Sequence, residues 1–154
     1  MAAKKPDLAA SLVRAKAVAD RLAGVTDALN EVIAQAEKAI ASLRLGVPGN
    51  VLISMDEDDP YGLGSGFQNL LFTKEDKTWR LIVESGYTDD EGNWSYTPLV
   101  NANRSTRLAA IEKLPALVEN MIERAEAEIT EVSDKTDRAL EFIKTLSARN
   151  GGGH

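Results

Sequence analysis

Two heptad repeats constrain the fold of this chain more than any other feature of its sequence. The first lies in the N-terminal third, at Leu8, Leu12, Ala15, Ala19, Leu22, Thr26, Leu29, Ile33, Ala36, Ile40 and Leu43. The second lies in the C-terminal third, at Val118, Ile122, Ala125, Ile129, Val132, Thr136, Ala139, Ile143 and Leu146. Spacings that alternate between four and three residues place these positions along one seam of a helix, which is typical of a coiled coil.

Local signals set the boundaries of these helices. Pro6 and Asp7 suit a first helical turn, and Gly46 suits a helix end, so a long helix is predicted over 6–45. The region 105–148 is predicted to be helical, with a kink or break near Pro115. The tail 149–154, which contains three glycines, is predicted to be disordered.

The two seams predict an antiparallel coiled coil within one chain. Both seams contain small residues that let helix backbones approach closely, and the long segment between them allows the chain to turn round. The alternative is that the two helices pack on different parts of a globular core. Val18, Val25 and Val32 widen the first seam, which indicates either a homodimer that forms a four-helix bundle or packing on the protein's own sheet.

The middle third, 51–100, is predicted to be a small four-stranded antiparallel β-meander with strands near 51–55, 67–73, 78–87 and 94–100. The hairpins are expected to place Thr73 opposite Thr78, and Thr88 opposite Asn93. One face then collects Leu70, Phe72, Trp79, Leu81, Val83, Tyr87, Trp94 and Tyr96. The fold class is therefore α+β, and the whole chain 1–154 is expected to form a single domain.

Acidic charge is concentrated in the middle third. Residues 51–100 carry three lysines and arginines against ten aspartates and glutamates, a net charge of −7, whereas the whole chain carries −6. A phosphate backbone is attracted to a basic surface, so direct nucleic-acid binding is not expected. A protein with a basic surface is the expected partner, together with a second copy in a homodimer.

The sequence lacks the residues that several kinds of catalytic chemistry require. The chain has no cysteine, and its one histidine is His154, so thiol chemistry and a histidine-dependent catalytic triad are excluded. No apolar run approaches the roughly 20 residues that span a membrane, and the N-terminus lacks a signal-type apolar stretch. A cytoplasmic protein without membrane contact is expected, and the alanine- and arginine-containing helices are compatible with a bacterial or phage source.

The stretch "MDEDDPYGLGSG" over 55–66 is the most distinctive segment of the middle third. Its glycines form G-x-G-x-G, which lacks the spacing of the dinucleotide fingerprint, and no Gly-Lys-Ser/Thr is present. Its four adjacent carboxylates lack the alternate spacing of an EF-hand, so no metal, cofactor or catalytic residue is assigned. The candidate partner-binding residues are Asp56, Glu57, Asp58, Asp59, Tyr61, Asp89, Asp90 and Glu91.

These observations predict a non-enzymatic interaction protein, in which an acidic β-module on a helical stalk binds a basic partner surface as an adaptor or an inhibitor. The alternative is a small-ligand or divalent-metal binding protein with its site under the 56–66 loop. A plain solvated loop is the third interpretation of the acidic segment.

Overall fold

The computed structural model describes residues 7–151 and has an α+β architecture with three helices and one sheet. Helix α1 spans Leu8–Ser42. The strands are β1 (Gly49–Asp58), β2 (Ser65–Glu75), β3 (Thr78–Tyr87) and β4 (Ser95–Pro98), with short 3₁₀ turns at Glu91–Asn93 and Leu99–Asn101. Helix α2 spans Arg104–Glu112 and helix α3 spans Leu114–Gly151. Among these residues, no helix combines the length and apolar character needed to cross a membrane.

Both ends of α1 have clear local causes. The Asp7 carboxylate accepts a hydrogen bond from the amide of Ala9 at 3.1 Å, which satisfies one of the free donors of the first turn. After Ser42 the chain reverses through Arg44 and Gly46, whose φ angles of 53° and 69° lie in the left-handed region. This reversal delivers the chain into β1.

The four strands form an antiparallel meander in the order β1-β2-β3-β4, which confirms the predicted sheet. Leu70 pairs with Val51 on one side and with Val83 on the other, so three adjacent strands present branched apolar residues to the same face. The ladder between β3 and β4 is short and ends at Pro98, which suits an edge strand because proline has no amide hydrogen to donate.

The core lies between this face of the sheet and parts of the helices. Ile33 and Ile40 of α1 and Leu117 and Met121 of α3 are buried against the sheet. Fully buried side chains of this size contribute about 1.5–3 kcal/mol each. The remaining core residues are Val47, Leu70, Phe72, Leu81, Val83, Leu99 and Ala110.

A short helix and a break precede α3. The Asn103 side chain accepts a hydrogen bond from the amide of Thr106 and caps α2. Helix α2 ends at Glu112 with Lys113 as its C-cap. Helix α3 starts at Leu114 with Pro115 in its first turn, where the missing amide hydrogen costs nothing. Helix α3 continues to Gly151, so residues 149–151 of the predicted disordered tail are helical, and residues 152–154 lie outside the described part.

The structure does not show the predicted antiparallel coiled coil between α1 and α3. Both helices cross the sheet in the same direction. Along α1, Asn30 contacts α2 through Arg107, and Ile40 then reaches the cavity beside Phe72. Along α3, Asn120 accepts a hydrogen bond from the amide of Asn50, and Ala125–Ser133 lie beside the loop that follows α1.

As a consequence the two helices leave the sheet at opposite ends. The N-terminal half of α1 and the C-terminal half of α3 therefore have no partner in the described part of the chain, and their large seam residues are exposed. A coiled coil within one chain needs both free halves at the same end of the sheet, which this topology prevents. The exposed seam residues are Leu8, Leu12, Leu22, Ile129, Val132, Ile143 and Leu146.

The predicted strand registers were wrong in two different ways. In the β2–β3 hairpin, Phe72 pairs with Leu81 rather than Trp79, a shift of two residues that keeps every side chain on its predicted face. In the β3–β4 hairpin, Ser85 pairs with Ser95, a shift of one residue that turns β4 over. Tyr96 and Trp94 therefore lie on the face of the sheet away from the helices, where Trp94 packs edge-on against Phe67 at 4.9 Å between ring centroids.

Candidate functional site

The acidic residues of the middle third gather at the end of the sheet that is remote from Gly49. Asp56, Glu57 and Asp58 lie in the last residues of β1 rather than in a loop, and Asp59 opens the connection to β2. Asp89, Asp90 and Glu91 belong to the β3–β4 connection at the same end. The structure thus brings together two acidic segments that lie on either side of β2 and β3 in the sequence.

Hydrogen bonds hold the β1–β2 connection in one shape. The Asp59 amide donates to the carbonyl oxygen of Gly64 at 2.6 Å, and the Asp59 carboxylate accepts from the amide of Tyr61 at 3.2 Å. The Ser65 hydroxyl donates to Asp58 at 2.6 Å. Gly62 and Gly64 both have φ of 82°, a conformation that L side chains rarely adopt, so glycine is required at these turns.

A second set of bonds attaches this connection to its neighbour. The Thr88 amide donates to the carbonyl oxygen of Ser65 at 3.0 Å, and the Ser65 amide donates back to the Thr88 hydroxyl at the same distance. The Asp89 amide donates to the carbonyl oxygen of Leu63 at 2.9 Å. A side chain on Gly64 would collide with Thr88, which shows how closely the two connections approach.

In the described residues 7–151, no lysine or arginine lies within ion-pair distance of the carboxylates of this surface. Within residues 7–151, the one ion pair joins Lys135 to Glu131 on α3, far from the sheet end. Five of the seven acidic side chains are exposed, and Asp59 and Asp90 are half-buried. We call the seven residues the acidic end: Asp56, Glu57, Asp58, Asp59, Asp89, Asp90 and Glu91.

Aromatic residues surround the acidic end. Tyr61 is 89% exposed at the tip of the β1–β2 connection, and Tyr87 and Tyr96 are also exposed. Trp94 donates its indole hydrogen to the carbonyl oxygen of Tyr87 at 2.7 Å and covers Gly86, where any side chain would collide with the indole ring. The hydrogen bond of Tyr96 to the Glu84 carboxylate raises the pKa of the phenol, and partial desolvation and the charges of Glu84 and Glu91 add to this effect.

A polar cleft of about 470 Å³ lies between the acidic end and α2. Its lining includes Asp56, Tyr87, Asn103 and Ser105, so the start of a helix faces one carboxylate of the acidic end. Within the part of the chain that the structure describes, no three histidine, cysteine, aspartate or glutamate side chains converge as metal ligands.

The two arginines near the start of α2 do not neutralise the acidic end. Arg107 is nine-tenths buried and donates to the side-chain oxygen of Asn30, and its Nε has no partner among the residues that the structure describes. Arg104 is exposed. Glu84 and Tyr96 were not among the predicted site residues. The predicted register placed Tyr96 on the same face as Val83, whereas the structure pairs it with Glu84.

Comparison with known proteins gives no relatives. No family model, no curated protein and no solved structure shows significant similarity to this chain.

Proposed function

We propose that this protein is a non-enzymatic interaction protein whose acidic end binds a basic surface of a partner protein. The observation that carries the proposal is the joining of two acidic segments into one surface of seven carboxylates with no lysine or arginine paired to them in residues 7–151. Unpaired carboxylates at this density attract a surface of opposite charge and speed its encounter.

The fixed geometry of the acidic end supports recognition rather than a plain solvated loop. A solvated loop needs no cross-connections, whereas here Leu63 and Ser65 are bonded to Asp89 and Thr88 through the backbone. Ordering these carboxylates before binding lowers the entropy lost when a partner docks. Exposed tyrosines beside the carboxylates add side chains that are enriched at protein interfaces.

The helical stalk is the second part of the proposal. The exposed seams of α1 and α3 serve protein–protein contacts in the form of coiled coils, and these contacts lie outside the acidic end. The protein then acts as an adaptor or an inhibitor according to whether the bound basic surface stays available to other molecules.

A second candidate function is the binding of a small polar ligand in the cleft beneath the 56–66 segment. The cleft favours it because Asp56 and Tyr87 face Asn103 and Ser105 across an open volume of about 470 Å³. A divalent metal is less favoured than a small polar molecule, since the described residues contain no converging ligand group. Thermal unfolding with and without millimolar magnesium, calcium or manganese tests the metal version, which a complete lack of shift would remove.

Affinity purification with mass spectrometry tests the leading proposal. Immobilised wild-type protein is compared with a variant that carries Asp56→Asn, Glu57→Gln, Asp58→Asn, Asp89→Asn, Asp90→Asn and Glu91→Gln. A control neutralises three carboxylates on outer positions of α3, by Asp134→Asn, Asp137→Asn and Glu141→Gln. We expect basic proteins to be retained by the wild type and the control and lost by the acidic-end variant. Equal retention by all three proteins would contradict the proposal.

A further inference from the structure

The C-terminal half of α3 is a long helix with no partner in the described part of the chain. We call residues 126–149 the α3 arm, which at about 1.5 Å per residue extends roughly 36 Å beyond the sheet. Its large apolar side chains are exposed, with Ile129 at 68%, Val132 at 56%, Ile143 at 54% and Leu146 at 45%. Helices gain most of their stability by packing an apolar face against another element, so this arm requires a cover.

We propose that the cover is the α3 arm of a second copy, packed antiparallel as a two-helix coiled coil. This inference concerns a different surface from the acidic end and does not depend on the proposed partner. It assigns the interface to one helix, with a defined direction and register.

The seam of the α3 arm is self-complementary in an antiparallel pair. In the register that sets Ile129 against Leu146 of the other copy, Val132 meets Ile143 and Thr136 meets Ala139, and each contact occurs twice about a two-fold axis. Large side chains therefore meet large ones at both ends, and small ones meet in the middle, where the backbones approach closely. An isologous dimer requires this reciprocity, because a contact from residue i to residue j is repeated from j to i.

Charges beside the seam distinguish antiparallel from parallel pairing. In the antiparallel register Glu128 of each copy flanks the seam opposite Arg149 of the other, which gives two pairs of opposite charge. A parallel pair would instead set Glu128 beside Ser133 and Lys135 beside Leu140, with no opposite charges together. The seam of α1 is a weaker candidate. In the antiparallel register that sets Ala15 against Ala19, Lys16 of one copy lies beside Lys16 of the other, which repels.

An open groove lies beside Ile129, where the proposed register places the end of the other copy's α3 arm. The groove has a volume of about 580 Å³ at the base of the α3 arm, and its apolar lining includes Leu45, Val47, Ile129 and Val132. Because Leu146 of the second copy packs against Ile129, the last turns of that copy fill the groove. The interface is then continuous with the core of the first copy, whose Val47 is buried.

Light scattering and sedimentation of the full chain test the dimer. We expect a dimer at micromolar concentration and a monomer for Ile143→Asp, while Ala148→Asp on the outer face of the arm stays dimeric. Far-UV circular dichroism of the variants shows whether the fold is retained. A monomeric wild type, or a dimer that Ile143→Asp leaves intact, would overturn the proposal.

Charge exchange and cross-linking test direction and register. Glu128→Arg and Arg149→Glu should each raise the dimer dissociation constant several-fold, and the double variant should restore it. Since the chain has no cysteine, Ile129→Cys and Leu146→Cys can be introduced singly. A mixture of the two variants should form the mixed disulfide on oxidation. Efficient disulfide formation by Leu146→Cys with itself would contradict the antiparallel pair and indicate a parallel one.

Discussion

The backbone amide of Asp89 donates a hydrogen bond to the carbonyl oxygen of Leu63 at 2.9 Å. This bond joins the β3–β4 connection to the β1–β2 connection, and it makes one surface of two acidic segments. Because backbone atoms rather than carboxylates form the bond, the carboxylates can be neutralised without removing it. Asparagine at positions 58 and 90 keeps a side-chain oxygen that can accept the bonds from Ser65 and Asn93, so the charge of the acidic end can be changed while its shape is retained.

Replacing Gly64 should disturb this junction. Gly64→Ala should lower the free energy of unfolding by about 2–3 kcal/mol, because the left-handed φ costs an L residue about 1 kcal/mol and the new methyl group collides with Thr88. Gly62→Ala is the matched control, with the same φ of 82° and open space around it. Gly62→Ala should lower the free energy of unfolding by about 1 kcal/mol. Urea denaturation of both variants measures the difference, and equal costs would contradict the close approach of the two connections.

Crowded carboxylates should destabilise the fold at low ionic strength. Sodium chloride should raise the thermal midpoint of the wild type, since salt screens repulsion among exposed charges. The variant Asp89→Asn, Asp90→Asn, Glu91→Gln should have a higher midpoint at low salt and a smaller response to salt. Differential scanning calorimetry across a salt series tests this, and identical salt responses of the two proteins would show that the carboxylates do not repel one another appreciably.

The phenol of Tyr96 should ionise with a pKa above the ordinary value for tyrosine. Its hydrogen bond to the Glu84 carboxylate raises its pKa from 10.0, so this contact stabilises the fold below pH 10 and is lost as the pH rises through the raised pKa. Glu84→Gln should move the pKa back towards 10 because it removes both the bond to a charged acceptor and the repulsion. Carbon-13 NMR of labelled tyrosine during a pH titration reports each residue separately. An unchanged Tyr96 titration in Glu84→Gln would exclude Glu84 as the cause.

Leu70 of β2 and Leu12 of the α1 seam should contribute differently to the free energy of unfolding, because only Leu70 lies in the core. Leu70→Ala should cost about 3–5 kcal/mol, because Leu70 is completely buried between the sheet and the helices. Leu12→Ala should cost less than about 0.5 kcal/mol, because Leu12 is 62% exposed on α1. A comparable cost at both positions, measured by urea denaturation, would mean that the first half of α1 is buried against another element.

The helix and strand types could be predicted from the sequence because periodicity reports them directly. The seam between Leu8 and Leu43 predicted α1, and alternation in Thr78–Tyr87 predicted β3 with its observed bounds. A heptad seam shows that a helix needs a partner but does not identify the partner. The direction in which α3 leaves the sheet depends on the packing of Leu117 and Met121 beside Gly49, which no local pattern encodes.

The strand registers could not be predicted correctly for a similar physical reason, since the turns that set them lack the usual sequence signals. The β2–β3 turn consists of Asp76 and Lys77 with φ of 46° and 72°, although glycine or asparagine is the usual signal for such a turn. The β3–β4 connection contains a 3₁₀ turn over Glu91–Asn93 where a simple hairpin turn was predicted, and the observed register differs from the predicted one by one residue. The seven residues of the acidic end were named from the sequence as partner-binding candidates, and that role stays a prediction. Their two segments meet because both connections lie at the same end of the meander.

The most direct measurement of the central claim is the dissociation constant of a purified complex between this protein and a basic partner obtained by affinity purification. Isothermal titration calorimetry at increasing salt compares the wild type, the sixfold acidic-end variant and the α3 control that carries Asp134→Asn, Asp137→Asn and Glu141→Gln. Recognition by the acidic end predicts that neutralising it weakens binding at least about tenfold and removes most of the salt dependence, while the control binds as the wild type does. Equal affinity and equal salt dependence in all three proteins would contradict it.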